Sequence, residues 1–538
     1  MRCYHFLSPG TGRLGLAVTA DFLRYLFVGS MKKIVVDGES LTLDQVAAMA
    51  EGAVKVGMSS ASMKKVRRSR AVIEEAVRDK KVVYGVTTGF GAFGNVVISR
   101  AKCKQLQQNI LRSHAAGVGD PLPDEIVRIV LLLMINSKAK GYSGLSLVTL
   151  QALRDLCNAG VIPHVPEKGS VGASGDLAPL AHLSLVLTGR GRARIQGRWM
   201  SGGQALKKAK LKPVSLEEGE GIALINGTQV MTAIGAWVVH KAQHLAKVVD
   251  IAAAMSLEVL LGSNTQFHKR IHRIRPHQGQ VDAASNLRRL TDGSEIISSH
   301  KDCDRVQDAY TLRCSPQVHG ASKDTLSFVR RVIETELNSS TENPLVFPDG
   351  QILSGGNFHG QPVALAMDHL AVALSEWANI SERRIERMVN PTLSGLPSFL
   401  IQEGGLNSGF MIAQYTAAAL VSENKVLSHP ASVDSITTSA NREDHVSMGT
   451  IAARKAREVL KNLKYVVAIE LLCAAQAMDL FTNLKPGKGS LAAYKVLRRN
   501  VSHMERDREL SPDIETVASL IDDGEILKPV ERACGTLL

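Results

Sequence analysis

The chain has 538 residues, 45% hydrophobic and 21% charged, a length and balance that favour two or more packed domains over disorder. Aromatic residues make up 4%, too few for the stacking platforms of single-stranded nucleic-acid binders. The formal charge of +13 is scattered along the chain, so neither a nucleic acid nor a membrane is expected as partner.

Residues 1–30 contain an apolar run, LGLAVTADFLRYLFVG, broken by Asp21 and Arg24. It is too short to span a bilayer and lacks a clean cleavage signature. Met31 then opens KKIVVDGESLTLDQVAAMA, which predicts a strand, a turn and a helix capped near Thr42. We therefore expect 1–30 to be an extension outside the core, with Met31 as the initiator. The seven cysteines, at 3, 103, 157, 303, 314, 473 and 534, form no CxxC pair. That usage suits a reducing, cytoplasmic setting and gives no reason to expect structural zinc.

KKVRRSR at 64–70 reads as a solvated helix face through Lys64, Lys65, Arg67, Arg68 and Arg70. KVVYGV at 81–86 resembles a strand and precedes GFGAFG, a GxGxxG match. A dinucleotide site would also need a second parallel strand and an acid about twenty residues on, and Asp120 is poorly placed. Helical patterns cover 101–115 and 124–139. EKGSVGASGDLAPLAHLS, 168–185, crowds small residues around Asp176 before an apolar run. A turn and a helix capped by Asp176 would account for it. It is not the GxSxG elbow of hydrolases.

From 229 the pattern changes. Residues 229–261 contain no proline over 33 residues, enough for a helix of ~50 Å. Further Ala/Leu-rich helices around 322–338, 364–389 and 451–480 predict a closely packed bundle. Their apolar content exceeds what a lone bundle would bury. FHKRIHRIRPH spaces His268 and His272 four apart, but its neighbours are basic, and the segment reads as a structural loop rather than a metal site. The fold class expected is mainly α, with an N-terminal domain of Gly-rich loops over 31–228 on a long-helix bundle over 229–538.

Ala173-Ser174-Gly175 permits a further chemistry. Attack of the Gly175 nitrogen on the Ala173 carbonyl carbon, with loss of water, closes a five-membered ring. Loss of the Ser174 hydroxyl as a second water leaves an exocyclic methylidene. Gly175 has no Cβ to oppose closure. Tripeptide spacing alone does not establish this. VGASGDLAPLAH, however, resembles the prosthetic-group segment of the aromatic amino acid ammonia-lyases. YGVTTGFGAFG, LQQNILRSHAAGVG, INGTQ, QDAYTLRCSPQVHG, ELNSSTENPL, GGNFHGQPVA and SANREDHVSMG resemble further blocks of that family, in order.

The resemblance implies a helical bundle of the fumarase/aspartase type, although the GSSxMPxKxN signature of that group is absent. It implies an autocatalytic cofactor, 4-methylidene-imidazol-5-one (MIO), made from Ala173, Ser174 and Gly175, with Asp176 shaping the loop and no external cofactor or metal. Tyr84 corresponds to the catalytic base, which serves only where hydrogen bonds or positive charge stabilise a phenolate. Arg313 corresponds to the clamp on the substrate carboxylate. Tyr310 would share its helical face beside the amine. Asn226 and Gln307 would orient cofactor and substrate, and Phe358 would form an aromatic wall. His114 and Glu443 point to an imidazole side chain. The expected reaction is L-histidine to trans-urocanate and ammonia, the first step of histidine degradation, in a homotetramer with shared sites. Gln361 and Arg442 depart from the usual histidine-specific pattern, so tyrosine or phenylalanine lyases and 2,3-aminomutases remain the alternative. A non-catalytic scaffold would not need intact Tyr84, Ser174 and Arg313.

Overall fold

The computed structural model describes residues 33–52 and 54–538, so the expectation for 1–30 lies outside the described residues. The strand Lys33–Val36 pairs in parallel with Lys55–Met58, with Lys33 opposite Lys55. Between them runs the helix Leu43–Glu51, capped by Thr42 as expected, and Gln45 closes a reciprocal capping box with it. The other sheets among the described residues are small and antiparallel, the largest ordered Ile162–Pro163, Arg192–Ile195, Arg198–Ser201.

KVVYGV does not form a strand. Thr87 Oγ1 accepts the Val83 N–H and donates to the Lys81 carbonyl, while Thr88 Oγ1 accepts the Gly85 N–H. These local bonds curl the segment into a turn despite its β-branched content. The basic run lies on the helix Ser60–Arg78. Lys64, Lys65, Arg67 and Arg68 are exposed as expected, but Arg70 is buried, paired with Glu74 and bonded to the Glu218 carbonyl. FHKRIHRIRPH is likewise not a plain loop. It forms the short helix Lys269–Arg273 capped by His268, with His272 buried between the Gln266 carbonyl and Gln280.

The bundle is built from Gln229–Val259, Ser315–Glu336, Gln361–Val389 and Gly449–Met478. Gln229–Val259, Gln361–Val389 and Gly449–Met478 pack on one another, Ser315–Glu336 packs on the first two, and their buried faces carry small side chains such as Ala252–Ala254 and Ala474–Ala475. The 31-residue helix Gln229–Val259 is ~46 Å long. Its first residues meet the loop at 170–176, and its middle enters a buried polar network. There Asp250 bonds His319 and Lys323 at 2.7 Å each. His319 continues to Arg384 at 3.2 Å, and Arg384 grips Glu470 through two nitrogens. Burial opposes charge on Asp250, yet Lys323 and His319 hold its carboxyl down at about 2. Removing one member of such a network leaves an uncompensated buried charge, at a cost of about 3–5 kcal/mol. No helix among the described residues is long and apolar enough to cross a membrane.

Candidate active site

The loop at 170–176 is clamped from three sides. The Met448 N–H donates to the Val171 carbonyl, and Ser447 Oγ to the Gly172 carbonyl. Gly175 sits beside Gly227 in an isolated parallel bridge, with the Asp176 N–H donating to the Gly227 carbonyl at 2.7 Å. Gly175 has φ +69°, and an added Cβ would lie 2.0 Å from the Gly227 carbonyl oxygen. Only glycine fits there.

Asp176 does not cap the helix that follows it, Leu177–Leu187. Its carboxylate instead accepts the Val230 and Met231 N–H groups, at 2.8 and 2.9 Å, at the start of the long bundle helix. Its other oxygen accepts from Thr450 and Ser170. The helix N-terminus favours the anion. Complete burial works against it and raises the carboxyl to about 6, with these donors offsetting part of the effect.

Ala173-Ser174-Gly175 is therefore held by its flanks, while its own reacting groups are left alone. Among the described residues, neither the Gly175 N–H nor the Ala173 carbonyl takes part in a hydrogen bond. That leaves both groups free for the ring closure that MIO formation would require. Asn226, adjoining Gly227, has a buried Oδ1 without a partner. The residues present fit the MIO group.

A cavity of about 650 Å³ opens over this tripeptide. Tyr84, His114, Ser174, Asn226 and Glu443 all face it, five residues from four separate stretches of chain and the loop at 170–176. The Tyr84 hydroxyl oxygen accepts the Gly91 N–H at 3.0 Å, and its ring meets Phe90 edge-on. His114 ends the helix Arg100–His114 and bonds Ser113 Oγ through Nδ1. Burial lowers its pKa, opposed by the Ile110 carbonyl and the Glu443 carboxylate. Glu443 accepts from Ser174 Oγ at 3.1 Å and from Thr438 Oγ1 at 2.7 Å. Apolar contributions come from Phe90, Leu106 and Ile222.

Four residues singled out by sequence lie outside this cavity. Gln307 is exposed on the segment before the helix Tyr310–Arg313. The Arg313 guanidinium stands 4.7 Å from the Tyr310 ring centroid, so the two do share a face. Tyr310 is 69% exposed, and Arg313 Nε is buried without a partner. Phe358 precedes the helix Gln361–Val389, on a loop whose Gly360 N–H reaches the Gly172 carbonyl and whose His359 stacks on His445. Gln361 donates to the Ser432 carbonyl. Sequence reasoning missed Thr438 and Thr450, whose hydroxyls fix the two key carboxylates. Neither threonine stands in a recognisable spacing with its partner.

The fold and this site define a lyase framework of aromatic amino acids. The family model for aromatic amino acid lyases matches residues 41–499, and the chain belongs to that family. A histidine ammonia-lyase of Alkaliphilus oremlandii is 55% identical over 504 residues, covering 94% of this chain and 99% of that protein. The crystal structure of a histidine ammonia-lyase from Trypanosoma cruzi superposes with a TM-score of 0.87 at 44% identity, covering 93% of this chain and 95% of that one. A tyrosine aminomutase from Streptomyces globisporus gives a TM-score of 0.89 at 39% identity, covering 94% and 100%.

Proposed function

We propose that the protein converts L-histidine to trans-urocanate and ammonia, with an MIO electrophile formed from Ala173, Ser174 and Gly175. The observation that carries this reading is the joint placement of His114 and Glu443 in the cavity over Ser174. An imidazole and a carboxylate can both hydrogen-bond a substrate imidazole, whereas an apolar ring would leave His114 Nε2, and the Glu443 oxygen that Ser174 gives up on losing its hydroxyl, without a partner at ~1–3 kcal/mol each. The high identity to histidine ammonia-lyases supports the same substrate.

The MIO group, once formed, supplies an electrophile for the substrate amine, which makes ammonia a workable leaving group. The chain's residues do the rest. Tyr84 takes the β-proton at its phenolic oxygen, which the Gly91 N–H supports. Glu443 and His114 hold the side chain in register. Asp176 keeps the loop bent by tying it to the start of the helix Gln229–Val259. Phe90, Leu106 and Ile222 keep water from the proton-transfer path.

Arg313, Tyr310, Gln307 and Phe358 complete the site from other subunits of a homotetramer. Exposed apolar side chains support such contacts. Val306 is 95% exposed beside Gln307, and the helix Met411–Leu427 leaves Ile412, Tyr415 and Val426 in solvent. A substrate carboxylate would satisfy the buried, orphaned Arg313 Nε. The domain division near residue 228 and a cytoplasmic location belong to the same proposal. In the assay, purified protein is offered histidine, tyrosine and phenylalanine separately, and the conjugated product is followed by ultraviolet absorbance. Urocanate from histidine alone is expected. Coumarate, cinnamate or a β-amino acid as main product would overturn the substrate assignment.

A further inference from the structure

A second cavity, of about 550 Å³, lies away from the cofactor loop and takes part in none of the chemistry above. Arg112, Arg190 and Arg192 line it together with His164 and His182, and no carboxylate lines it. Among the described residues none of the three guanidiniums forms an ion pair, although the chain offers acids elsewhere on its surface. Of the acids on adjoining segments, Asp124 pairs with Arg194 and Glu167 with Arg454, while Asp120, exposed after Gly119, forms no ion pair among the described residues and does not line the cavity. Three like charges around one hollow repel one another unless an anion joins them.

The local backbone brings the donors to one hollow. Arg190 and Arg192 flank Gly191 at the entry to the strand Arg192–Ile195, and the Arg190 N–H is bonded to the Leu185 carbonyl. The Arg192 guanidinium also lies 5.9 Å from the Trp199 ring centroid, against which His164 packs edge-on. His182 Nε2 accepts the Gly117 N–H at 3.0 Å, so its proton resides on Nδ1 as a further donor. Guanidinium forks match the oxygens of a phosphate group, and neutral imidazole N–H groups add donors without adding repulsion.

We propose that this cavity binds a tetrahedral oxyanion of the phosphate class, either as the free ion or carried by a phosphorylated small molecule. Arg112 and His182 sit on the helices Arg100–His114 and Leu177–Leu187. These are the helices that end at His114 and begin after Asp176, so an occupant would brace both walls of the active-site cavity from behind.

The test is isothermal titration calorimetry of the full chain with inorganic sulfate, whose charge is constant with pH, then with inorganic phosphate and glycerol phosphate. Saturable binding at one site per chain is expected, unaffected by chloride at matched ionic strength. Arg190→Gln with Arg192→Gln should weaken it at least tenfold, and Arg112→Gln alone severalfold. All three side chains are exposed, so folding should survive, as unchanged circular dichroism and histidine turnover would verify. Tighter binding of glycerol phosphate than of phosphate assigns the site to a phosphorylated molecule, and the reverse order to the free ion. No saturable heat, or equal affinity in wild type and variants, would overturn the proposal. The arginines would then only complement the carbonyl ends of the two helices.

Discussion

The Ser174 hydroxyl donates to the Glu443 carboxylate across 3.1 Å, joining positions 269 residues apart. The same carboxylate is steadied by Thr438 and lowers the electrostatic cost of protonating His114. One acid thus bonds Ser174 and acts electrostatically on His114. Glu443→Gln keeps an oxygen for Ser174 but removes the charge. We expect MIO formation to persist while histidine efficiency falls about tenfold, the effect of one lost charge-assisted bond. The ratio of kcat/KM for histidine to that for phenylalanine checks it.

His114→Leu removes the imidazole partner and enlarges the apolar wall formed by Leu106 and Ile110. A substrate imidazole left unpaired costs about 1–3 kcal/mol, or roughly ten- to a hundredfold in histidine efficiency. Phenylalanine turnover should rise. If this substitution leaves the selectivity ratio unmoved, His114 does not face the substrate ring.

Tyr84→Phe deletes the hydroxyl that accepts the Gly91 N–H. The ring contact with Phe90 remains, so the fold should hold. Turnover should drop by about two to four orders of magnitude, the contribution of a positioned general base. A raised KM with kcat intact would mean that Tyr84 binds substrate and takes no proton.

Asp250 predicts an acid transition in stability. Its pKa is held at about 2 in the folded protein, below the ~3.9 of an unfolded chain. The stabilisation is complete above about pH 4 and fades as pH falls through about 2. Asp250→Asn should be less stable than wild type at neutral pH, with the gap closing over that acid window. Thermal unfolding of both proteins as a function of pH measures it.

Much of this was legible in the sequence because the signals are local. Thr42 and Gln45 cap a helix three residues apart, and the proline-free run from 229 forms a single helix to Val259. Membership of the aromatic amino acid lyase family was legible through the resemblance of its blocks. What stayed hidden depends on distant partners. Asp176 looked like the cap of the next helix, but its donors Val230 and Met231 arrive 54 and 55 residues later. Arg70 looked solvated until the Glu218 carbonyl, 148 residues away, drew it inside. KVVYGV has strand composition, and threonine hydroxyls within the same stretch override it. The separation of Gln307, Tyr310, Arg313 and Phe358 from the cavity is a matter of three-dimensional placement that no spacing encodes.

Asp176 offers a separate handle on maturation. Asp176→Asn replaces one accepting oxygen with an amide that faces donors, either the Val230 and Met231 N–H groups or the hydroxyls of Thr450 and Ser170. The loop should lose its bend, and cofactor formation should slow. The fraction of mature peptide in freshly made protein, followed over time by mass spectrometry, should be lower than in wild type.

In the proposed reaction the backbone at Ala173-Ser174-Gly175 becomes the electrophile. The most direct measurement is the mass of the proteolytic peptide that contains Ser174, taken from protein that turns over histidine. The account predicts a peptide lighter than its sequence by two waters, and the full sequence mass at this position in inactive Ser174→Ala. Full turnover of histidine by protein whose peptide carries its unmodified mass would contradict it.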